Sequence, residues 1–286
     1  VEHSEATLVG VKKKKVKHRK IKAQSIYDFD LPNVLRLYFE RQGHAQLLPV
    51  QTMALEKGLM ERQDELVVAA TSAGKTMIGE IAGLSKILRD KMAYLRTKAN
   101  KSNQSDPFSS LSPKDLRKLA NSRYTKKQKA YVRALQKAPT KSKMLYLVPI
   151  VALANMRHRE YQELSRYGVK SALKVGTSYI SGKGKRNQED EFGHFPNADV
   201  VVGTYEAIDV MLRSGNPHLI KDVKTVVIDE IQMLADEERG FKLDGLIARL
   251  RLFLPRAQML YLSATIQQPK SLSKHFRAAL IHFTDR

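Results

Sequence analysis

Ala69-Ala70-Thr71-Ser72-Ala73-Gly74-Lys75-Thr76 follows the apolar run Leu66-Val67-Val68 and leads into a segment where Met77, Ile81, Leu84 and Leu88 recur at helical spacing. This reads as a strand, a tight loop and a helix running to about Asp90. Successive backbone N–H groups and a helix N-terminus aimed at one point make a cradle for an anion. Gly74 lets the backbone approach phosphates closely. Lys75 is placed to reach the outer phosphates of a nucleotide, with Thr71, Ser72 and Ala73 in the cradle and the Thr76 hydroxyl on a magnesium ion. Ala69 stands where this pattern usually begins with glycine.

A second strand end carries complementary chemistry. Asp229-Glu230-Ile231-Gln232 follows Val226-Val227-Ile228. Asp229 is suited to a hydrated magnesium ion, and Glu230 to orienting and deprotonating a water. Ser263-Ala264-Thr265 ends a third apolar run and offers two hydroxyls in one turn. Gln51 offers an amide donor and acceptor, which suits an adenine edge. Each has a plainer reading taken alone: a chance Gly-Lys-Thr, acids or hydroxyls capping helices, a surface glutamine. Together, and in this order, they point to a nucleotide hydrolase.

The surrounding chain alternates strands and helices. Strands are expected at Met144–Val148, Ala172–Val175, Val200–Val202, Thr225–Ile228 and Met259–Leu262. Helices are expected near Asp30–Arg41, Pro49–Gly58 and Val151–Ser165, in a segment holding Leu243, Leu246, Ile247 and Leu250, and finally near Leu272–Leu280. Such alternation implies an α/β fold, a parallel sheet covered by helices on both faces, with ligands at the carboxyl ends of the strands.

The 286 residues carry a net charge of +21, and its distribution is uneven. Residues 1–24 hold eight Lys or Arg against two Glu, and residues 91–142 hold fourteen against two Asp. The first reads as a basic N-terminal extension, either solvated or bound to a polyanion. The second reads as a basic, mostly helical insertion, with Ser112 and Thr125 starting helices. Within it Tyr94, Phe108, Tyr124 and Tyr131 either stack on nucleic-acid bases or pack a small core of their own. There is no cysteine, so disulfides and cysteine-bound zinc are excluded. No apolar run approaches the roughly 18 residues of a membrane helix, and no membrane partner is expected. A start at Val1 suggests that upstream sequence is missing.

Residues 30–90 and 143–286 resemble the helicases of superfamily 2, in the Ski-like group that includes archaeal DNA helicases and RNA-exosome helicases. Leu48-Pro49-Val50-Gln51 is similar to the adenine-reading Q motif, and Ala69 to Thr76 to motif I. Pro149-Ile150-Val151-Ala152-Leu153 resembles motif Ia, and Gly203-Thr204-Tyr205-Glu206 motif Ib. Asp229-Glu230-Ile231-Gln232, followed by Met233 to Gly240, resembles motif II, and Ser263-Ala264-Thr265 motif III. The resemblance implies a RecA-like, P-loop nucleotide-hydrolase domain using ATP and magnesium. Glu230 and Lys75 would be catalytic. Gln232, Ser263 and Thr265 would couple nucleotide state to movement, and Pro149, Thr204 and Tyr205 would contact a nucleic-acid backbone. It further implies a single-stranded or partly duplex RNA or DNA partner, with RNA favoured because the basic additions suit it. Motifs IV to VI and their arginine finger are expected in a second RecA-like domain of the same protein. A cytoplasmic or nucleoid-associated location is expected. Two other functions stay open: a nucleotide-gated clamp or assembly factor that does not unwind, and a phosphate-loop ATPase or kinase unrelated to nucleic acid. Three features depart from the family pattern: Gln232 for histidine, Val151 for arginine, and the basic segment between motifs I and Ia.

Overall fold

The computed structural model describes residues 23–70, 73–99, 105–176 and 196–283. Seven strands form one sheet, and every paired neighbour is parallel. They are β1 (Glu65–Ala69), β2 (Lys143–Val148), β3 (Ser171–Lys174), β4 (Val200–Thr204), β5 (Val223–Ile228), β6 (Gln258–Ser263) and β7 (Ala279–Phe283), in the spatial order β3-β4-β2-β5-β6-β1-β7. The helices are α1 (Asn33–Arg41), α2 (Pro49–Glu56), α3 (Lys75–Ala99), α4 (Pro113–Ala120), α5 (Lys126–Lys137), α6 (Val151–Gln162), α7 (Tyr205–Arg213), α8 (Gly240–Phe253) and α9 (Pro269–Phe276).

Why these runs become strands follows from burial on both faces. Every residue of β1, β4 and β6 is buried, so they are near-continuous apolar segments rather than alternating ones. The pleat divides them. Val67, Tyr146, Val202, Val227 and Leu262 face a core shared with α1, α2, α3, α5 and α6. Leu66, Leu145, Val201, Val226 and Tyr261 face the core under α7, α8 and α9. α3 crosses the sheet at close range: a Cβ at Gly83 would lie 2.2 Å from the Met144 sulfur. Glu65 opens β1 fully buried, with both carboxylate oxygens lacking a partner among the described residues.

Two expected boundaries move. α3 does not end at Asp90 but continues to Ala99. The reason is tertiary: Lys91 is wholly buried, ion-paired to Asp199 at 2.6 Å and donating to the carbonyls of Leu135 and Gly168. The expected last helix, Leu272–Leu280, splits. α9 stops at Phe276, Arg277 takes a left-handed φ of 53°, and Ala279–Phe283 pairs with the free edge of β1. Among the described residues no helix is long and apolar enough to cross a membrane.

The segment expected as an insertion holds α4 and α5. Ser112 caps α4 and Thr125 caps α5 through their side chains. Both helices share the main core: Phe108, Leu116, Tyr131 and Leu135 are buried in the cluster that contains α1 and α3, and Asn33 Nδ2 donates to the carbonyl of Phe108 at 2.8 Å. Phe108 packs edge-on against Tyr124, 5.7 Å between centroids, and lies 6.1 Å from Tyr131. Phe108 and Tyr131 are core, so the base-stacking alternative fails for them, while Tyr124 is half-buried against that core. Residues 1–22, including most of the basic extension, lie outside the described residues.

Candidate functional site

The loop after β1 is held from below. Lys75 is the first residue of α3 and only 7% exposed. Its ammonium donates to the carbonyls of Ala69 at 2.7 Å and Ala70 at 2.9 Å. Burial lowers its proton affinity, and the negative charges of Asp229 and Glu230 oppose that shift. Gly74 has φ 75°, and a Cβ there would lie 2.5 Å from Gln51 Nε2 and 2.9 Å from Leu48 Cδ1. Glycine is therefore required twice, for conformation and for clearance. Gln51 ties the loop to α2: its Nε2 donates to the Gly74 carbonyl at 3.0 Å and its Oε1 accepts from the Leu48 N–H at 2.8 Å. Ala73 closes a turn onto the Ala70 carbonyl at 3.0 Å. Thr71 and Ser72 lie outside the described residues. Ala69 is the last residue of β1.

The acids stand two strands away. Asp229 extends the β5 ladder, its N–H donating to the Leu147 carbonyl at 2.9 Å. Its carboxylate accepts from Tyr146 Oη at 2.7 Å and from the Glu230 N–H at 3.0 Å, and its carbonyl accepts from the Tyr205 hydroxyl. Burial pushes the Asp229 carboxyl up, the Tyr146 hydrogen bond works against this, and Glu230 adds to the rise. Glu230 takes a left-handed φ of 60°, a conformation that costs a non-glycine residue about 1–3 kcal/mol and recurs where function holds it. The strain turns Glu230 off the strand axis.

Because β6 lies between β5 and β1, Ser263 at its end sits between the acid turn and the phosphate loop. Ser263 Oγ is placed to donate to Gln232 Oε1 at 2.7 Å and also lies 3.0 Å from the Thr265 carbonyl. Gln232 Nε2 donates to the Glu230 carboxylate. An amide, accepting at one end and donating at the other, thus joins the Ser263 turn to Glu230. Thr265 contributes its carbonyl to this arrangement.

Sequence reasoning missed a further group. Arg157 on α6 donates from Nη2 to Thr76 Oγ1 at 3.1 Å. Its guanidinium lies 5.3 Å from the Tyr146 ring centre, and Nη1 pairs with Glu160 at 2.5 Å. Tyr146, which touches Asp229, packs edge-on against Tyr161. Arg157 thereby connects α6, which follows the Pro149 turn, to both residues expected to hold a metal. Nothing in a single sequence marks it, since its partner is 81 positions away. A cleft of about 600 Å³ opens beside the loop, lined by Gln51, Gly74, Thr76, Tyr38, Glu80 and Arg157 among others. Burial pushes the Glu80 carboxyl up to about 7.

The residues expected to meet nucleic acid lie on the same rim. The Pro149 carbonyl accepts from Arg239 at 2.5 Å, and Arg239 pairs with Glu206 at 2.6 Å. Thr204 caps α7 and is 4% exposed, while Tyr205 is 5% exposed and spends its hydroxyl on Asp229. Both side chains are committed internally, so at this turn a strand would meet backbone.

A family profile described as DEAD/DEAH box helicase matches residues 48–272. The probable ATP-dependent helicase MJ1401 of Methanocaldococcus jannaschii is 37% identical over 93% of this chain and 26% of its own length. The ATP-dependent DNA helicase Hel308 of Pyrococcus abyssi is 28% identical over 89% of this chain and 27% of its own. The chain thus spans about a quarter of the length of these curated relatives. The Mycobacterium smegmatis helicase Lhr, solved with ssDNA and AMP-PNP, superposes with a TM-score of 0.58 at 19% identity, over 90% of this chain and 28% of that one. The DUF1998 helicase MrfA bound to DNA and AMPPNP gives 0.61 at 16% identity, over 93% and 31%. At such identities these two show the fold alone. With its phosphate loop, acid turn and serine turn on adjacent strand ends, this chain belongs to the DEAD/DEAH box helicase family.

Proposed function

We propose that this chain is the first RecA-like domain of an ATP-dependent helicase, and that nucleotide binding at the β1 and β5 strand ends drives movement along a nucleic-acid strand. The observation that carries this is the placement of a buried, carbonyl-held Lys75 two strands from the Asp229–Glu230 turn, whose Glu230 is linked through Gln232 to Ser263 on the strand between them. Lys75 would exchange the Ala69 and Ala70 carbonyls for the β and γ phosphates. Glu230, held by the Gln232 amide, would orient a water and accept its proton.

Magnesium fits the donor set. Thr76 offers a hydroxyl and Asp229 a carboxylate, both hard oxygens, and Tyr146 and Arg157 brace them from the protein side. No cluster of three or more His, Cys, Asp or Glu able to hold a metal exists among the described residues, which suits an ion that takes its remaining ligands from phosphates and water. When bound, the ion supplies charge neutralisation at the phosphates.

The strand is read here as passing over the Pro149 and Thr204–Tyr205 turns by backbone contacts, which serve RNA and DNA alike. The basic charge favours structured RNA, whereas relatives named as DNA helicases favour DNA. ATPase stimulation by matched single-stranded RNA and DNA decides between them. A second RecA-like domain is proposed to supply the arginine that completes hydrolysis, which is worth roughly 10³- to 10⁵-fold in rate. The cytoplasm or nucleoid is the proposed location. Lys75→Ala in the full-length protein should remove ATPase and unwinding together, and unwinding that survives it would refute the role given to the loop.

A further inference from the structure

Away from the strand ends, α5 and the turn at 163–167 enclose an open hollow of about 850 Å³. Its lining includes Arg41, Arg123, Lys129, Arg133 and Arg166, and no carboxylate. None of its lining residues belongs to a loop that follows a strand. We infer that this hollow is a second nucleic-acid site, one that grips the phosphate backbone without reading bases. The identity of the polyanion rests on the helicase reading above; the site itself rests on the following geometry.

Arg123, Lys129 and Arg133 are exposed and make no ion pair among the described residues. Arg166 pairs with Glu163 at the rim, at 2.9 Å. Arg41 is structural: its guanidinium donates to the carbonyls of Leu119, Ala120 and Ser122 and lies 4.7 Å from the Tyr124 ring centre. Three cations thus face the hollow uncompensated. Their placement opposes folding. Lys129 and Arg133 are like charges at i,i+4 on α5. Like charges set four apart with no acid answering them among the described residues lower local stability, and such departures are expected where a ligand binds. The aromatic rings nearby are already packed, with Tyr124 against Phe108 and Arg41. The ring that lines the hollow, Tyr124, is half-buried and already packed in this way, so the contact is carried by the cations and the ligand is the backbone.

The test uses three versions of the chain: the parent, Arg123→Gln/Lys129→Gln/Arg133→Gln, and a control that removes equal charge at Lys57, Lys221 and Lys224. Binding of a labelled, partly duplex oligonucleotide is titrated over a range of salt, with fluorescent ATP-analogue affinity measured in parallel. The hollow variant should lower the slope of log K against log salt by about 2 to 3, at roughly 0.7–0.9 per lost phosphate contact, while nucleotide affinity holds and the control keeps the parent slope. Removing like charges should leave thermal stability equal or higher, so weaker binding cannot be ascribed to unfolding. A parent-like slope in the hollow variant overturns the site, as does an equal fall in the control. Failure of the parent to bind any oligonucleotide would also overturn the site; the helicase reading is tested separately, by Lys75→Ala in the full-length protein.

Discussion

The strand-end rim and the α4–α5 flank use charge in opposite ways. On the rim every ionic group is answered from within. Lys75 has two carbonyls and two neighbouring acids, Asp229 has Tyr146, and Glu230 has Gln232. On the flank, Arg123, Lys129 and Arg133 face solvent with no acid lining their hollow. On this rim Asp229 and Glu230 are oriented before a ligand arrives, so binding reorders chiefly Lys75, which must leave its two carbonyls. A flank built that way relies on unscreened charge, which weakens with salt. Salt should therefore separate the two regions, moving oligonucleotide affinity far more than nucleotide affinity.

The largest expected effect comes from breaking the rim. Glu230→Gln should retain ATP binding but lower turnover of the full-length protein by about 10²- to 10⁴-fold, the usual contribution of a general base; single-turnover hydrolysis beside equilibrium binding checks it. Gln232→Ala would leave Ser263 and Glu230 without their shared amide. It should reduce stimulation of ATPase by nucleic acid more than basal turnover, and equal loss of both would argue that Gln232 only supports Glu230.

Two stability predictions test whether buried charge behaves on the body as it does on the rim. Lys91→Met strands Asp199 in the core and should cost about 3–5 kcal/mol, as breaking one side of a buried pair generally does. Chemical denaturation measures this, and a loss below 1 kcal/mol, the order typical of an exposed pair, would show that the pair is not sealed from water. Glu65 has no answering partner among the described residues, and burial pushes it up to about 9 from an ordinary 4.5. Folding therefore favours its protonated form. Its stabilising state is fully present below about 4.5 and is lost as pH rises towards 9, at up to about 1.4 kcal/mol per pH unit. Glu65→Gln should flatten that fall, with the largest gain in Tm at the alkaline end; an unchanged pH profile would show that the carboxyl finds a partner or water. The smallest effect belongs to the flank, where Lys129→Gln should raise stability at low salt by a few tenths of a kcal/mol by relieving one like-charge pair.

Much of the rim was legible because its residues are contiguous. The phosphate loop, the acid turn and the Ser263 turn each combine an apolar run with a short polar motif, and both signals are local. Gln232, which departs from the family's histidine, carries the amide oxygen and nitrogen that join Ser263 to Glu230. Arg157 and Tyr146 could not be found, since an arginine in a basic helix and a tyrosine in an apolar strand look like surface and core. The flank was half legible. Ser112 and Thr125 announced their helices by capping chemistry, but whether Phe108, Tyr124 and Tyr131 faced bases or each other depended on partners elsewhere in the chain.

By itself, the sequence determined the α/β class, the order of its motifs and the chemistry those motifs can perform, because periodicity, capping and loop residues act within a few positions. Only the tertiary structure decided that α3 runs on to Ala99 through a buried Lys91, that Ala279–Phe283 is an edge strand, and that Arg157 reaches Thr76. Each of these depends on a group distant in sequence, and burial, ion pairing and strand pairing are properties of where the chain meets itself.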